Sequence, residues 1–112
     1  YIAMTIAQDT EYILLDEPLN NLDMKHSVQI MQTLRTLCRD LNKTIIIVLH
    51  DINFASCYSD NIVALKKGEI VKSGPKDSVI QTEVLRNLYE MDVHIEEIRG
   101  QRICLYYDEV IF

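Results

Sequence analysis

Two short apolar runs, Tyr12 to Leu15 and Ile45 to Leu49, constrain this chain more than any other feature. Each ends abruptly in residues that carry chemistry: Asp16 and Glu17 follow the first, His50 the second. Continuous apolar runs of this length bounded by charge predict strands buried on both faces, as in a parallel sheet. Between them, from Lys25 to Leu41, the residues Val28, Met31, Leu34, Leu37, Cys38 and Leu41 recur at three- and four-residue intervals. That is the period of an amphipathic helix of about four or five turns. Strand, helix, strand in this order predicts a right-handed crossover with the two strands parallel. Asp16, Glu17 and His50 then share one edge, the carboxyl edge at which open α/β sheets bind ligands.

The remaining segments are shorter. YIAMTIAQ places Ile2, Ala3, Ile6 and Ala7 at helical spacing and predicts a short helix that Asp9 and Thr10 end. A short helix is expected from about Ile52 to Tyr58. NIVALKKGEIVKSG then reads as a hairpin about Lys67-Gly68, and Gly74-Pro75 as a break. Residues 76–91 supply two short helices, with Thr82 as an N-cap, and VHIEEI and RICLYY form a last hairpin joined near Gly100. The fold class is α/β, without internal repeats.

Composition narrows the function. The 112 residues, 48% hydrophobic and 25% charged, have the balance of one globular domain. A net charge of −6 repels phosphate backbones and argues against broad nucleic-acid binding. The longest aliphatic run is far below the ~18–20 residues of a membrane span, and no signal peptide is read. Cys38, Cys57 and Cys104 are odd in number and lack a CxxC spacing. They suggest neither a disulfide framework nor a zinc site, and fit a reducing, cytosolic setting. None of the three glycines begins a GxxxxGK phosphate loop or a GxGxxG turn. The opening at Tyr1, inside what reads as a helix already under way, leads to the expectation of lost upstream sequence.

Successive side chains leave a strand on opposite faces, so Asp16 and Glu17 cannot serve one role. One can hold a magnesium ion through its water shell while the other orients and deprotonates an attacking water; a strand ending in a polar turn is the plain alternative. Asn20 to Asp23 suit a turn followed by an N-cap at Asp23. His50 is either a satisfied polar residue at a strand end or a donor to a phosphate oxygen. His26 and His94 read as surface residues without metal-ligand spacing. Lys66-Lys67 reads as a solvated turn, and Tyr106-Tyr107 as a strand with one ring on each face.

Taken together, YILLDEPLNNLD and TIIIVLHDINFAS resemble the second half of the nucleotide-binding subunit of ATP-binding cassette (ABC) transporters. The stretch from His50 to Ile95 is similar to importers of iron-siderophore, haem and vitamin B12 type ligands. The resemblance implies a partial P-loop NTPase (RecA-like) core with parallel strands and helices, followed by hairpins and short helices. Residues 1–112 would be the carboxyl-terminal portion of one such domain, without its Walker A loop, Q-loop and LSGGQ signature. It further implies Asp16 as the magnesium ligand of Walker B, Glu17 as the catalytic base, Asn20, Asn21, Leu22 and Asp23 as the D-loop, and His50 as the switch histidine at the terminal phosphate. Asn20 and Asn21 replace the more usual Ser-Ala. The implied cofactors are ATP and Mg2+. The implied partners are a second ATPase subunit met head to tail, transmembrane permease subunits and, indirectly, a substrate-binding protein, at the cytoplasmic side of the membrane. Without a phosphate loop, the isolated 112 residues are expected to be inactive. A non-catalytic interaction module is the rival reading; a cassette ATPase of DNA maintenance lacks support, since no heptad run or basic patch is present.

Overall fold

The computed structural model describes residues 2–6, 11–41 and 43–106. Its elements run β1 (Ile2–Ile6), β2 (Glu11–Asp16), α1 (Met24–Leu41), β3 (Lys43–Leu49), α2 (Ile52–Tyr58), β4 (Asn61–Lys66), β5 (Glu69–Pro75), α3 (Lys76–Val79), α4 (Thr82–Tyr89), β6 (His94–Ile98) and β7 (Gln101–Leu105). Five strands form one sheet in the order β2-β3-β1-β4-β5, and β6 pairs with β7 apart from it. The α/β class is therefore as read from the sequence.

The strand-helix-strand order and the parallel pairing are as expected. β2 and β3 are parallel, in a register that sets Leu15 against Ile47 and Asp16 against Val48. Asp23 starts α1: its carboxylate accepts the His26 backbone N–H at 2.8 Å and meets His26 Nδ1 at 2.7 Å. Met31 and Cys38, two turns apart, are the apolar residues that α1 buries. Both hairpins close through two-residue turns with positive φ at each position, Lys67 and Gly68 in one, Arg99 and Gly100 in the other. That backbone twist matches the twist of the paired strands.

Six expectations are corrected. Ile2–Ile6 is a strand, not a helix, and pairs antiparallel with β3 on one side and β4 on the other. A four-residue spacing is also a multiple of two, so Ile2 and Ile6 satisfy either period. The β-branched Ile2, Thr5 and Ile6 favour extended backbone, and two open strand edges supply bonds that one isolated helical turn lacks. Residues 7–10, expected to complete that helix, lie outside the described residues. The second correction is to β2, which is an edge strand rather than one buried on both faces: Tyr12 is 72% and Leu14 68% exposed. By contrast Ile45, Ile47 and Leu49 of the inner strand β3 are buried, packed with Met31 and Cys38 of α1 and Ile52 and Ala55 of α2.

Third, β5 continues through Gly74 and Pro75, which pair with Ile62 and Asn61. Gly74 is needed there, since a Cβ would stand 2.9 Å from Ser78 Oγ and its φ is +146°. Fourth, Gln81 is the N-cap of α4, without a side-chain bond, and Thr82 is the first helical residue. Lys66 is also more than a turn residue: its ammonium donates to the Asn87 carbonyl at 2.8 Å and lies 3.3 Å from Glu90, at the end of α4. A cation is favoured at that negative helix end. Tyr106 follows β7 rather than lying in it, and Tyr107 is outside the described residues.

The two runs that look alike in sequence are thus energetically unlike. Ile47→Ala is expected to lower stability by about 2–5 kcal/mol, whereas Leu14→Ala should cost less than about 1 kcal/mol. Urea midpoints at constant slope check this, and equal losses would contradict the assignment of the core to β3.

Candidate functional site

Parallel strands bring their carboxyl ends to one edge, and here that edge holds Glu17 and His50 in contact, Glu17 Oε1 against His50 Nε2. Each side chain is fixed from a different direction. Glu17 sits one residue past β2 with φ +50°, and its N–H donates to the Val48 carbonyl at 2.9 Å, which carries the β2–β3 pairing one step beyond the strand. The chain then doubles back: Asn20 N–H donates to the Glu17 carbonyl at 3.1 Å, and Leu22 N–H to the Leu19 carbonyl at 3.2 Å. Asn21 adopts the left-handed conformation (φ +66°) that asparagine tolerates.

His50 leaves β3 directly before Asp51, the N-cap of α2. Asp51 Oδ1 accepts the N–H groups of Asn53 (2.8 Å) and Phe54 (3.2 Å). Sequence reasoning missed Asn53 and Ser56, one turn further along. The Asn53 side chain bonds the Cys104 backbone in both senses, its Nδ2 donating to the carbonyl at 3.1 Å and its Oδ1 accepting the N–H at 2.7 Å. Ser56 Oγ donates to the Arg102 carbonyl at 2.6 Å. Asn53 and Ser56 are two polar residues three apart in a seven-residue, otherwise apolar and aromatic helix, and that spacing is the signal that could have found them.

Glu17 and His50 open onto a pocket of roughly 380 Å³ whose walls include Asn20, Asn21, Leu22 and Phe54. Three of the four expected loop residues therefore face the same space as the pair. Asp23 does not: its carboxylate is engaged in capping α1. Asp16 is exposed at the end of β2 and is not among the walls of the pocket. His50 also borders a smaller cavity of roughly 180 Å³ with Ile52, Tyr89, Met91, Val93 and Tyr106. His26 and His94 are exposed and engaged with Asp23 and Glu96, as surface residues would be.

Among the described residues no group of three or more His, Cys, Asp or Glu side chains could hold a metal ion. A lone carboxylate such as Asp16 still fits magnesium, which usually takes one or two carboxylates and fills its octahedron with water and substrate phosphates. No described helix is long and apolar enough to cross a membrane.

No family model matches the chain. Its relatives are nonetheless consistent in kind. The petrobactin import ATP-binding protein YclP of Bacillus subtilis is 63% identical over 107 residues, covering 96% of this chain and 42% of that protein. The petrobactin import ATP-binding protein FatE of Bacillus anthracis is 48% identical, covering 89% of this chain and 39% of that protein. The iron(3+)-hydroxamate import ATP-binding protein FhuC of Bacillus subtilis is 38% identical, covering 96% and 41%. The chain thus spans about two fifths of the length of the curated relatives it matches. Among solved structures, a chain of an ABC transporter in an inward-facing conformation is similar in fold, with a TM-score of 0.71 and 21% identity over 86% of this chain and 40% of that one. The cbiO1 protein of Clostridium perfringens, part of the ABC transporter complex cbiONQ, has a TM-score of 0.58 and 29% identity over 69% and 31%.

The seam between α2 and β7 has a pH signature of its own. Burial, helped by the nearby Cys57 and Asp51, pushes the Cys104 thiol up from 9.0 to about 11. Burial likewise lifts the Tyr89 phenol to about 12. The unfolded chain therefore loses these protons first as pH rises. Stability held below about pH 9 should be lost as pH climbs through about 11. Urea midpoints across that range check the sign, and Cys104→Ala should flatten part of the fall.

Proposed function

The chain is homologous, over almost its whole length, to the ATP-binding proteins of ABC importers, and from that relationship we propose that residues 1–112 form the carboxyl-terminal portion of an ATPase subunit that drives uptake of an iron-siderophore type complex. The observation that carries the reading is the contact of Glu17 with His50 at the carboxyl edge of a parallel strand pair.

In this reading Glu17 is the catalytic base. Its carboxylate, anchored through its own backbone to β3, aligns a water for in-line attack on the terminal phosphate of ATP and takes its proton. His50 donates from its imidazole to an oxygen of that phosphate and stabilises the charge it gains. Asp16 would hold Mg2+, which draws negative charge off the phosphoryl group when bound. Asn20, Asn21 and Leu22 would face a second ATPase subunit in a head-to-tail dimer, with Asp23 holding α1 behind them. Permease subunits would receive the motion, and a substrate-binding protein would be reached only through them. The subunit would sit peripherally at the cytoplasmic side of the membrane.

The separation of roles follows from the backbone. Glu17 is fixed by the sheet and His50 by the start of α2, so nucleotide entering the pocket can part the two without disturbing either strand. Residues 1–112 contain no GxxxxGK loop to cradle a triphosphate, so by themselves they should not hydrolyse ATP. That same lack favours a second reading, a non-catalytic module that keeps the dimer and permease contacts. Retention of Asp16, Glu17 and His50 together favours the first.

In the full-length subunit, Glu17→Gln keeps the shape and removes the base. Turnover should fall by ~10² to 10⁴ while ATP binding survives. Phosphate release near the parent rate would exclude Glu17 as the base and leave the interaction module standing. His50→Ala should likewise cut hydrolysis, and an unchanged phosphate-release rate would take His50 out of the site.

A further inference from the structure

The geometry points to Asn53 as a positioning residue: its two-way bond to β7 sets where His50 stands relative to Glu17, so that the β6–β7 hairpin, remote in sequence, helps align the site. The inference rests on the roles proposed for Glu17 and His50 and goes beyond them, because Asn53 touches neither the proposed nucleotide pocket nor the reacting atoms.

Three observations converge. The two members of the pair are anchored to different bodies: Glu17 to the β2–β3 ladder through the Val48 carbonyl, His50 to the head of α2 through the Asp51 cap. The apolar packing of Ile52 and Ala55 and the bond from Arg35 Nη1 to the Tyr58 carbonyl hold α2 to the core, but neither bonds it to β7. Asn53 supplies that link, because a primary amide can present an N–H donor and a carbonyl acceptor side by side in one plane and so reads a strand residue as a neighbouring strand would. It engages Cys104 through both N–H and C=O, fixing α2 in register along β7. Ser56 adds a second bond one turn on, to the Arg102 carbonyl. Arg102 in turn donates from Nη1 to the Ile80 carbonyl at 3.0 Å, tying β7 to the turn between α3 and α4.

The anchorage is sheltered. Cys104 is buried, Ser56 is buried, and the apolar Ile52 and Ala55 flank them, so water competes poorly for these bonds. The smaller cavity also places His50 against Tyr89, Met91, Val93 and Tyr106, all beyond residue 88. His50 thus borders both the proposed nucleotide pocket and a cavity walled by residues near the β7 that Asn53 grips.

A positional role predicts an effect on the chemical step that vanishes when His50 is absent. In the full-length subunit, Asn53→Ala should lower kcat about tenfold with KM for ATP changed less than about twofold, since misplacement of a reacting group costs rate rather than binding. In single-turnover measurements, adding Asn53→Ala to His50→Ala should bring no further loss, whereas a merely structural residue would multiply the two effects. Ser56→Ala removes a single bond and should show the same coupling at about threefold. It supplies the answer should Asn53→Ala fail to fold. An unchanged kcat in the Asn53 or Ser56 variant, or losses that multiply in the His50→Ala background, would overturn the inference. Glu17→Gln run in parallel separates this from the site reading itself: normal turnover of that variant removes the catalytic site, while its loss beside a normal Asn53→Ala removes only the positioning role.

Discussion

The parallel pairing of β2 with β3 is the constraint on which the rest of this structure depends. Because both strands run the same way, the crossover helix α1 must carry the chain back along the whole sheet, and both strand ends are delivered to one edge. One more ladder bond, from Glu17 N–H to the Val48 carbonyl, extends that order past the strand into the loop. A register slip of one residue would reverse which face Leu15 and Asp16 present, and would carry Glu17 away from His50. The register that packs the core therefore also assembles the site.

Burial is distributed unequally around that pair. β3, flanked on both sides, holds Ile45, Ile47 and Leu49 in the interior, where Met31 and Cys38 of α1 and Ile52 and Ala55 of α2 join them. β2, paired on one side alone, leaves Tyr12 and Leu14 to solvent. An apolar edge strand of this kind is a template for further pairing. The homologous proteins are more than twice as long, so their additional chain has ample length to cover such a face.

What was legible in the sequence was whatever local periodicity fixes without ambiguity. The eighteen-residue α1 repeats its apolar residues too regularly to be anything but helix, and Lys67-Gly68 and Gly100 declare their turns by chemistry. The site edge followed from topology alone. β1 was misread because Ile2 and Ile6 are spaced by four, a distance common to both periods, and the choice is settled by β3 and β4, forty and more residues away. The burial of β2 was misread for a related reason: YILL and IIIVL look alike, and only their places in the sheet order distinguish them. Asn53 was missed because its polar spacing with Ser56 marks a buried polar face without naming the partner, which is the backbone of Cys104, fifty-one residues away.

The position of β1 also bears on how the chain can be made. It lies in the middle of the sheet, bonded to β3 through Ile45 to Leu49 and to β4 through Asn61 to Ala64. A ribosome releases chain from the amino end, at about 5–20 residues per second. Ile2–Ile6 therefore emerges several seconds before the strands that will hold it. Until then β2 and β3 can close as one local unit and β4 with β5 as another, and the halves stay unjoined. Ile2–Ile6 thus emerges ahead of both its partner strands and is among the last of the described strands to be set, which gives a nascent-chain chaperone reason to shield this apolar pentapeptide.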